Sequence, residues 1–449
     1  MRIMLTPWPN PAHLYPMVPL VWALQSAGHE VRVASHPVLA ETTTSCGLPA
    51  VSLGDMDSVS MPRGPGRPQP RSVREKLERI TEDLALDPAE CDPWNVFYQF
   101  MLPSMWDFHP VGASAGDEHV VVDRMVDFAR DWRPDLVLWD PCFPGGAVAA
   151  RASGAAHARI LWGLDYFAWT IDRFTERGTR PGPVAGENPL VETVRPVAER
   201  YGVEVDDELL LGQWTVDPTP TGIRLLTKKV RTVSVRWVPY SAQAPTPDWL
   251  SGRPDRPRVA VSLGLSQRTY FKGGWDYVPD LFEVMGELDI EVVATLNKDQ
   301  LAEVSRIPGN VRTIDYVPLN QLLPSCTVAI HHGGMGTFAA ATAANLPQLI
   351  TDSDVDYGMI TIEEDGMEWA MAAKHIESAV TAKYVVDRGA GLALDIKKLS
   401  VDGMRKQLVR VLDEPQFRAG AAALYADVIG TPSVNDIVPV LERLTAEHR

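Results

Sequence analysis

Apolar residues along this chain fall into short runs separated by amphipathic stretches, and the runs recur in two series. In the first, "RIMLTP" reads as a buried strand, "PMVPLVWALQSAGH" as a helix and "EVRVAS" as a second strand. "RPDLVLWD", "GGAVAARASG" and "HARILWG" then repeat strand, helix, strand. Strands separated by helical segments imply parallel sheets covered on both faces. The second series offers "RVAVSLGLS", "IEVVATL", "VRTIDYV" and "CTVAIHH" as strands, with helices between. Between the series lies "VRWVPYSAQAPTPDWLSGRPDRP", which has the proline-rich composition of a linker. The pattern predicts an α/β chain of two doubly wound halves, residues 1–235 and 236–449, facing across a cleft. The last helix is expected to pack back on the first half.

From about residue 55 to 117 the alternation stops. That segment is rich in Pro, Gly and charge near "MPRGPGRPQPR", then aromatic near "DPWNVFYQFMLPSMWDFHP". An insertion over the ligand cleft is the expected form, because function concentrates on such loops.

Length agrees with two halves, since 449 residues exceed what one core holds. With 45% hydrophobic and 22% charged residues the composition is that of a globular protein. No apolar run is long enough to cross a bilayer, and the N-terminal stretch lacks a signal-peptide layout, so a cytoplasmic protein is expected. Cys46, Cys91, Cys142 and Cys326 lie far apart and form no CxxC pair, which reads as reduced, mostly buried thiols. A net charge of −16 argues against nucleic acid and anionic membranes as partners.

The candidate chemistry centres on "VAIHHGGMGTFAAATAANLPQLI", residues 328–350: a strand, two histidines, a glycine-rich turn and a helix. Free N–H groups and the positive dipole end at a helix start attract anions, and glycines allow close approach. A P-loop is excluded because no lysine follows the glycines. Gly334, Gly336 and Ala339 spell G-x-G-x-x-A, a weak dinucleotide match placed at the wrong strand. A purely structural tight turn is a further alternative. The favoured reading is a diphosphate held by backbone N–H groups, His332 and the Thr337 hydroxyl. Downstream, Asp352, Asp354, Asp356 and Glu363 have the spacing of a calcium loop, but Tyr357 replaces the glycine such a loop needs. One of these acids binding sugar hydroxyls is the preferred reading over a metal site. In the first half, His13 and Asp140 each follow a strand, where open α/β sheets bind ligands. His13 suits a general base, with Asp140 orienting its ring.

"HHGGMGT", followed by "AANLPQLI" and "VVDRGAGLAL", resembles the donor-binding segment of GT-B glycosyltransferases, in particular those that attach deoxysugars from dTDP-sugars to macrolides and related polyketides. "TPWPNPAHLYPMVPLVWALQSAGHEVRVAS", "RPDLVLWDP", "AAHARILWGLD", "RWVPYS", "VAVSLGLS" and "YVPLNQLLPSC" extend the likeness over nearly the whole chain. The resemblance implies an inverting, metal-independent hexosyl transfer of a deoxysugar, amino-deoxysugars included, with His13 as base. It further implies diphosphate contacts at His332, Gly333, Gly334, Met335, Gly336, Thr337, Ser262, Gly264 and Ser266, and a nucleobase contact at Val317. Of the Trp-Asp or acid–Gln pair the family carries after "PQLI", the matching residues here are Val355 and Asp356; Asp356 carries over as sugar-binding acid, and Val355 stands where the tryptophan would be. "YGMITIEEDGMEWAMAAKHIES" (357–378) looks like an insertion. Trp8, Tyr15, Phe143, Trp162 and Tyr166 are the expected acceptor-binding aromatics. The expected small-molecule partners are a dTDP-deoxysugar and a macrolide or polyketide acceptor. A helper related to cytochromes P450, docking on about 63–109, and a second copy of the chain are the candidate protein partners. Against this stand an epimerase or lipid-acceptor transferase on the same scaffold, and a non-catalytic partner protein.

Overall fold

The computed structural model describes residues 1–66, 70–182, 186–264, 275–352, 359–364, 367–372, 377–396 and 398–449, with the backbone alone at 352, 359–364 and 367–372. Among these, β1 (Arg2–Thr6), β2 (Glu30–Ser35), β3 (Ala50–Ser52), β4 (Leu136–Trp139), β5 (Ala156–Ile160), β6 (Trp214–Asp217) and β7 (Thr232–Ser234) form one parallel sheet in the order β3-β2-β1-β4-β5-β6-β7. Every residue of β4 and β5 is buried, as two covered faces demand. A second parallel sheet has the order β10-β9-β8-β11-β12-β15, from β8 (Arg258–Ser262), β9 (Glu291–Thr295), β10 (Val311–Ile314), β11 (Val328–His331), β12 (Gln348–Asp352) and β15 (Gly391–Asp395). The chain crosses from the first sheet to the second between Ser234 and Arg258.

In each sheet the strand order reverses at one place, between β1 and β4 and between β8 and β11. Loops leaving the carboxyl ends of neighbouring strands diverge there and open a crevice. His13 and Asp140 follow β1 and β4; Ser262–Gly264 and His331–Gly334 follow β8 and β11.

The segment 55–117 differs from the expected loop. Helices Arg71–Leu84, Pro88–Val96 and Leu102–Met105, with a π-helical turn at Phe97–Met101, occupy much of it. Leu77, Ile80 and Leu84 fall on one helix face and are buried. Phe97 meets Phe167 edge-on at 6.0 Å, so these helices pack on the helix Tyr166–Gly178 as part of the core. In the stretch 357–378 the structure shows a hairpin, β13 (Met359–Glu364) against antiparallel β14 (Met367–Ala372).

The final helix, Val434–Glu447, starts with a Ser433–Asp436 capping box. Its Ile437, Val438, Leu441 and Leu444 are buried beside Leu20, Val21 and Leu24 of the helix Val18–Ser26 in the first half. The cysteines are free thiols: Cys46 and Cys142 are buried, Cys326 half-buried and Cys91 exposed. Among the described residues no helix is long and apolar enough to cross a membrane.

Candidate active site

The short helix Pro11–Leu14, capped by Asn10, brings His13 back over β4. His13 Nδ1 donates to Asp140 Oδ2 at 2.7 Å. Asp140 has no exposed surface, and its carboxylate also accepts from Trp8 N at 3.3 Å, Cys142 N at 2.8 Å and the Trp162 indole N–H at 3.2 Å. This fixes the ring so that Nε2 is the remaining basic atom. The His13 side chain is 13% exposed, enough to reach a substrate in the adjoining cavity.

Across that cavity lies the glycine turn. His331 is buried at the end of β11; its Nε2 donates to Gln348 Oε1 at 2.9 Å and its Nδ1 accepts from Gly333 N at 3.1 Å. Burial lowers its pKa to about 4, so the ring is a neutral brace for the turn. Gly333 has φ +82°, and a Cβ there would lie 2.6 Å from Ser378 Cα, so glycine is required. His332 borders the cavity, with Nδ1 3.5 Å from the Ser262 carbonyl. Gly264, φ +83°, lets the backbone pass under this ring; a Cβ would fall 2.4 Å from His332 Cε1. The helix Met335–Ala343 then begins without a side-chain cap. A Cβ on Gly336 would meet nothing within 4 Å, so its first turn opens on the cavity.

Glu377, absent from the sequence-based set, completes the enclosure. One carboxylate oxygen accepts from Met335 N and the other from Leu164 N, each at 3.4 Å, so it touches both halves. Burial raises its pKa from the usual 4.5 to about 7, against the opposing pull of those two N–H groups. Its only sequence signal was an acid in the first turn of the helical run "ESAVTAKYVVD".

Tyr15, Trp162, Ser262, Gly264, Val317, Gly334, Met335, Gly336 and Thr337 all border the same cavity as His13, His332 and Glu377. Val317 does so with its side chain buried in the core beneath. Trp8, Phe143 and Tyr166 correct the acceptor-binding expectation: they are 1%, 0% and 3% exposed. They fill the space beneath the helices at 71–105, with Trp8 Nε1 donating to Ser104 O and Phe143 4.4 Å from Phe108. Ser266, Asp354, Val355 and Asp356 lie outside the described residues, as does the side chain of Asp352.

The sequence matches the model of the erythromycin biosynthesis protein CIII-like N-terminal domain over residues 22–264, and that of the C-terminal domain over 280–367. The chain belongs to this family. It is 39% identical, over 100% of its length and 98% of the relative's, to the 10-deoxymethynolide desosaminyltransferase of Streptomyces venezuelae. It is 38% identical to the aclacinomycin-T 2-deoxy-L-fucose transferase of Streptomyces galilaeus, over 100% of this chain and 97% of the relative. Among solved structures it resembles the spinosyn forosaminyltransferase SpnP, with TM-score 0.76, 35% identity and 99% of each chain covered. The glycosyltransferase VinC in complex with dTDP gives TM-score 0.75 and 32% identity, over 100% of both chains. The protein is a glycosyltransferase of the GT-B fold.

Glu377 makes stability depend on pH. Its pKa is higher folded than unfolded, so between pH 4.5 and about 7 the folded protein holds a proton that the unfolded chain releases. Stability from this group falls as pH rises through that window. Glu377→Gln removes the cost of ionisation. Its melting temperature should gain on the parent's from pH 4.5 to 7, then hold a constant lead. A gap that is the same at all pH values would contradict this.

Proposed function

We propose that this enzyme transfers a deoxysugar from dTDP to a hydroxyl of a macrolide or polyketide, with inversion at the anomeric carbon. The observation that carries the reading is one cavity shared by a carboxylate-oriented histidine from the first sheet and, from the second, a helix N-terminus whose N-cap is a glycine. The first half, residues 1–235, would hold the acceptor and the second, 236–449, the donor. The acceptor oxygen attacks the anomeric carbon while His13 Nε2 takes its proton. The bond from that carbon to the diphosphate breaks, and dTDP departs with the electron pair. Asp140 stabilises the imidazolium formed. Negative charge growing on the diphosphate meets the first turn at Met335–Thr337 and the His332 ring, groups already in place before reaction. Ser262 and Gly264 border the same space. The sugar-hydroxyl acceptor is assigned to Glu377, because its carboxylate sits between the helix start and Leu164. Tyr15 and Trp162 form the acceptor-side wall.

The division between halves makes a paired test. His13→Ala should lower turnover about a hundredfold or more with dTDP affinity unchanged. His332→Ala should weaken dTDP by roughly 1.5–3 kcal/mol, the worth of a charge-assisted contact. Equal loss of dTDP affinity in both variants, measured by calorimetry, would defeat this assignment of the halves. For Glu377→Ala, the KM for the sugar donor should rise while the Kd of free dTDP stays close to the parent's; the opposite ordering would place this carboxylate elsewhere. No metal enters the scheme, so turnover after exhaustive EDTA treatment should match the untreated enzyme. Loss on chelation that Mg²⁺ restores would refute that.

A further inference from the structure

We propose that Trp162 is a positioning residue for the His13–Asp140 pair, acting through its indole N–H. For the catalytic consequence this rests on the reading of His13 as base. Asp140 has four donors, two on each oxygen: His13 Nδ1 and Trp8 N on Oδ2, Cys142 N and Trp162 Nε1 on Oδ1. Two of the four are backbone, so Trp162 is the side chain other than His13 that holds this buried group. Its ring also packs on the imidazole, centroids 4.2 Å apart at 51°. A tryptophan serving only as an apolar wall for an acceptor would need its face alone. Here Trp162 borders the cavity while its N–H is turned to a carboxylate cut off from water.

The loop carrying Trp162 is itself fastened. Arg159, with no exposed side-chain surface, makes two parallel bonds to Asp165, 2.9 and 2.6 Å, across the loop. Asp165 also caps the helix Tyr166–Gly178 by accepting from Ala168 N. Thr219 Oγ1 donates to the Gly163 carbonyl at 3.0 Å. The indole is therefore held from both sides.

A neutral donor on one carboxylate oxygen draws charge from the other, which moderates the pull of Asp140 on a protonated imidazole. It also stops the carboxylate from rotating away. Without the N–H, Asp140 binds the imidazolium more strongly and fixes the ring less well. Other titratable groups bordering the cavity are Glu377, His332, Tyr15, Tyr240 and Tyr316; Asp140 is the one that hydrogen-bonds to His13.

The test reads the imidazole directly. His13 is followed by ¹⁵N NMR across pH, its signal assigned among the ten histidines by its loss in His13→Gln. Trp162→Phe keeps an aromatic face over the ring and removes the N–H. The His13 midpoint should move up. The acidic limb of kcat should move with it and the plateau should fall several-fold, while the KM for the sugar donor stays put. Should Trp162→Phe fold poorly, 3-benzothienylalanine at position 162 replaces the N–H by sulfur at nearly the same shape. An unmoved His13 midpoint in the folded variant overturns the proposal whatever the rates. A moved midpoint alongside full turnover in His13→Ala upholds the positioning and removes the base reading instead.

Discussion

A carboxylate shut away from water must be met by donors, and Asp140 sets that condition for the whole first half. Removing even one partner of such a group leaves a buried charge uncompensated, a loss on the order of 1–3 kcal/mol or more. Meeting it brings three loops to one point: Trp8 and His13 after β1, Cys142 beside Asp140 after β4, and Trp162 after β5. Because β1, β4 and β5 are neighbours in the sheet, their carboxyl ends deliver these groups within reach of one another. The sheet order is thus what makes a fixed imidazole possible at the rim of the cavity.

The second half solves a different problem with backbone rather than side chains. In the proposed scheme a diphosphate needs N–H groups presented closely, and each feature of the turn leaves space at the backbone. His331 braces Gly333 from behind; Gly333 and Gly264 adopt positive φ where a Cβ would strike Ser378 or His332. Gly334 as N-cap of Met335–Ala343 follows from the same logic, since it brings no side chain of its own to the helix start, where the Met335 N–H is met by Glu377.

Much of this was legible in the sequence. Long apolar runs such as "LVLW" and "VAIH" identify themselves as central strands because both faces are buried. β3 and β7, three residues each, are too short for period to show, whereas β6, β12 and β15 are no shorter than β4 and differ from it in being flanked by polar or glycine-rich sequence instead of a clear helical run. In the 55–117 segment the Pro- and Gly-rich run 61–70 suggests a loop, but the helix Arg71–Leu84 that follows contains neither residue and shows its core face through Leu77, Ile80 and Leu84 alone. Candidate residues at strand ends reached the cavity, since topology alone puts them there: His13, Asp140's partner ring, and His332. Aromatic residues could not be sorted the same way. Trp8 and Phe143 neighbour the site in sequence, but whether a ring faces core or cavity depends on helices contributed from residues 71–105. Glu377 was hidden for a related reason, its place in the site being defined by two backbone N–H groups more than forty residues away.

That carboxylate is also where the two halves cease to be independent. The His13–Asp140 pair hangs from the first sheet and the glycine turn from the second, which by itself would let either stand without regard to the other. Glu377 belongs to the second half yet accepts from Leu164, two residues from the indole that holds Asp140. Gly163 lies between them, and a Cβ there would press on the Glu377 carboxylate at 2.3 Å. A group that binds at Glu377 therefore bears on the same loop that steadies the His13–Asp140 pair. In a displacement reaction the attacking oxygen and the anomeric carbon must be aligned before either bond changes, and small misplacements are costly. A carboxylate shared between the donor helix and the Trp162 loop ties that alignment to the backbone of both halves.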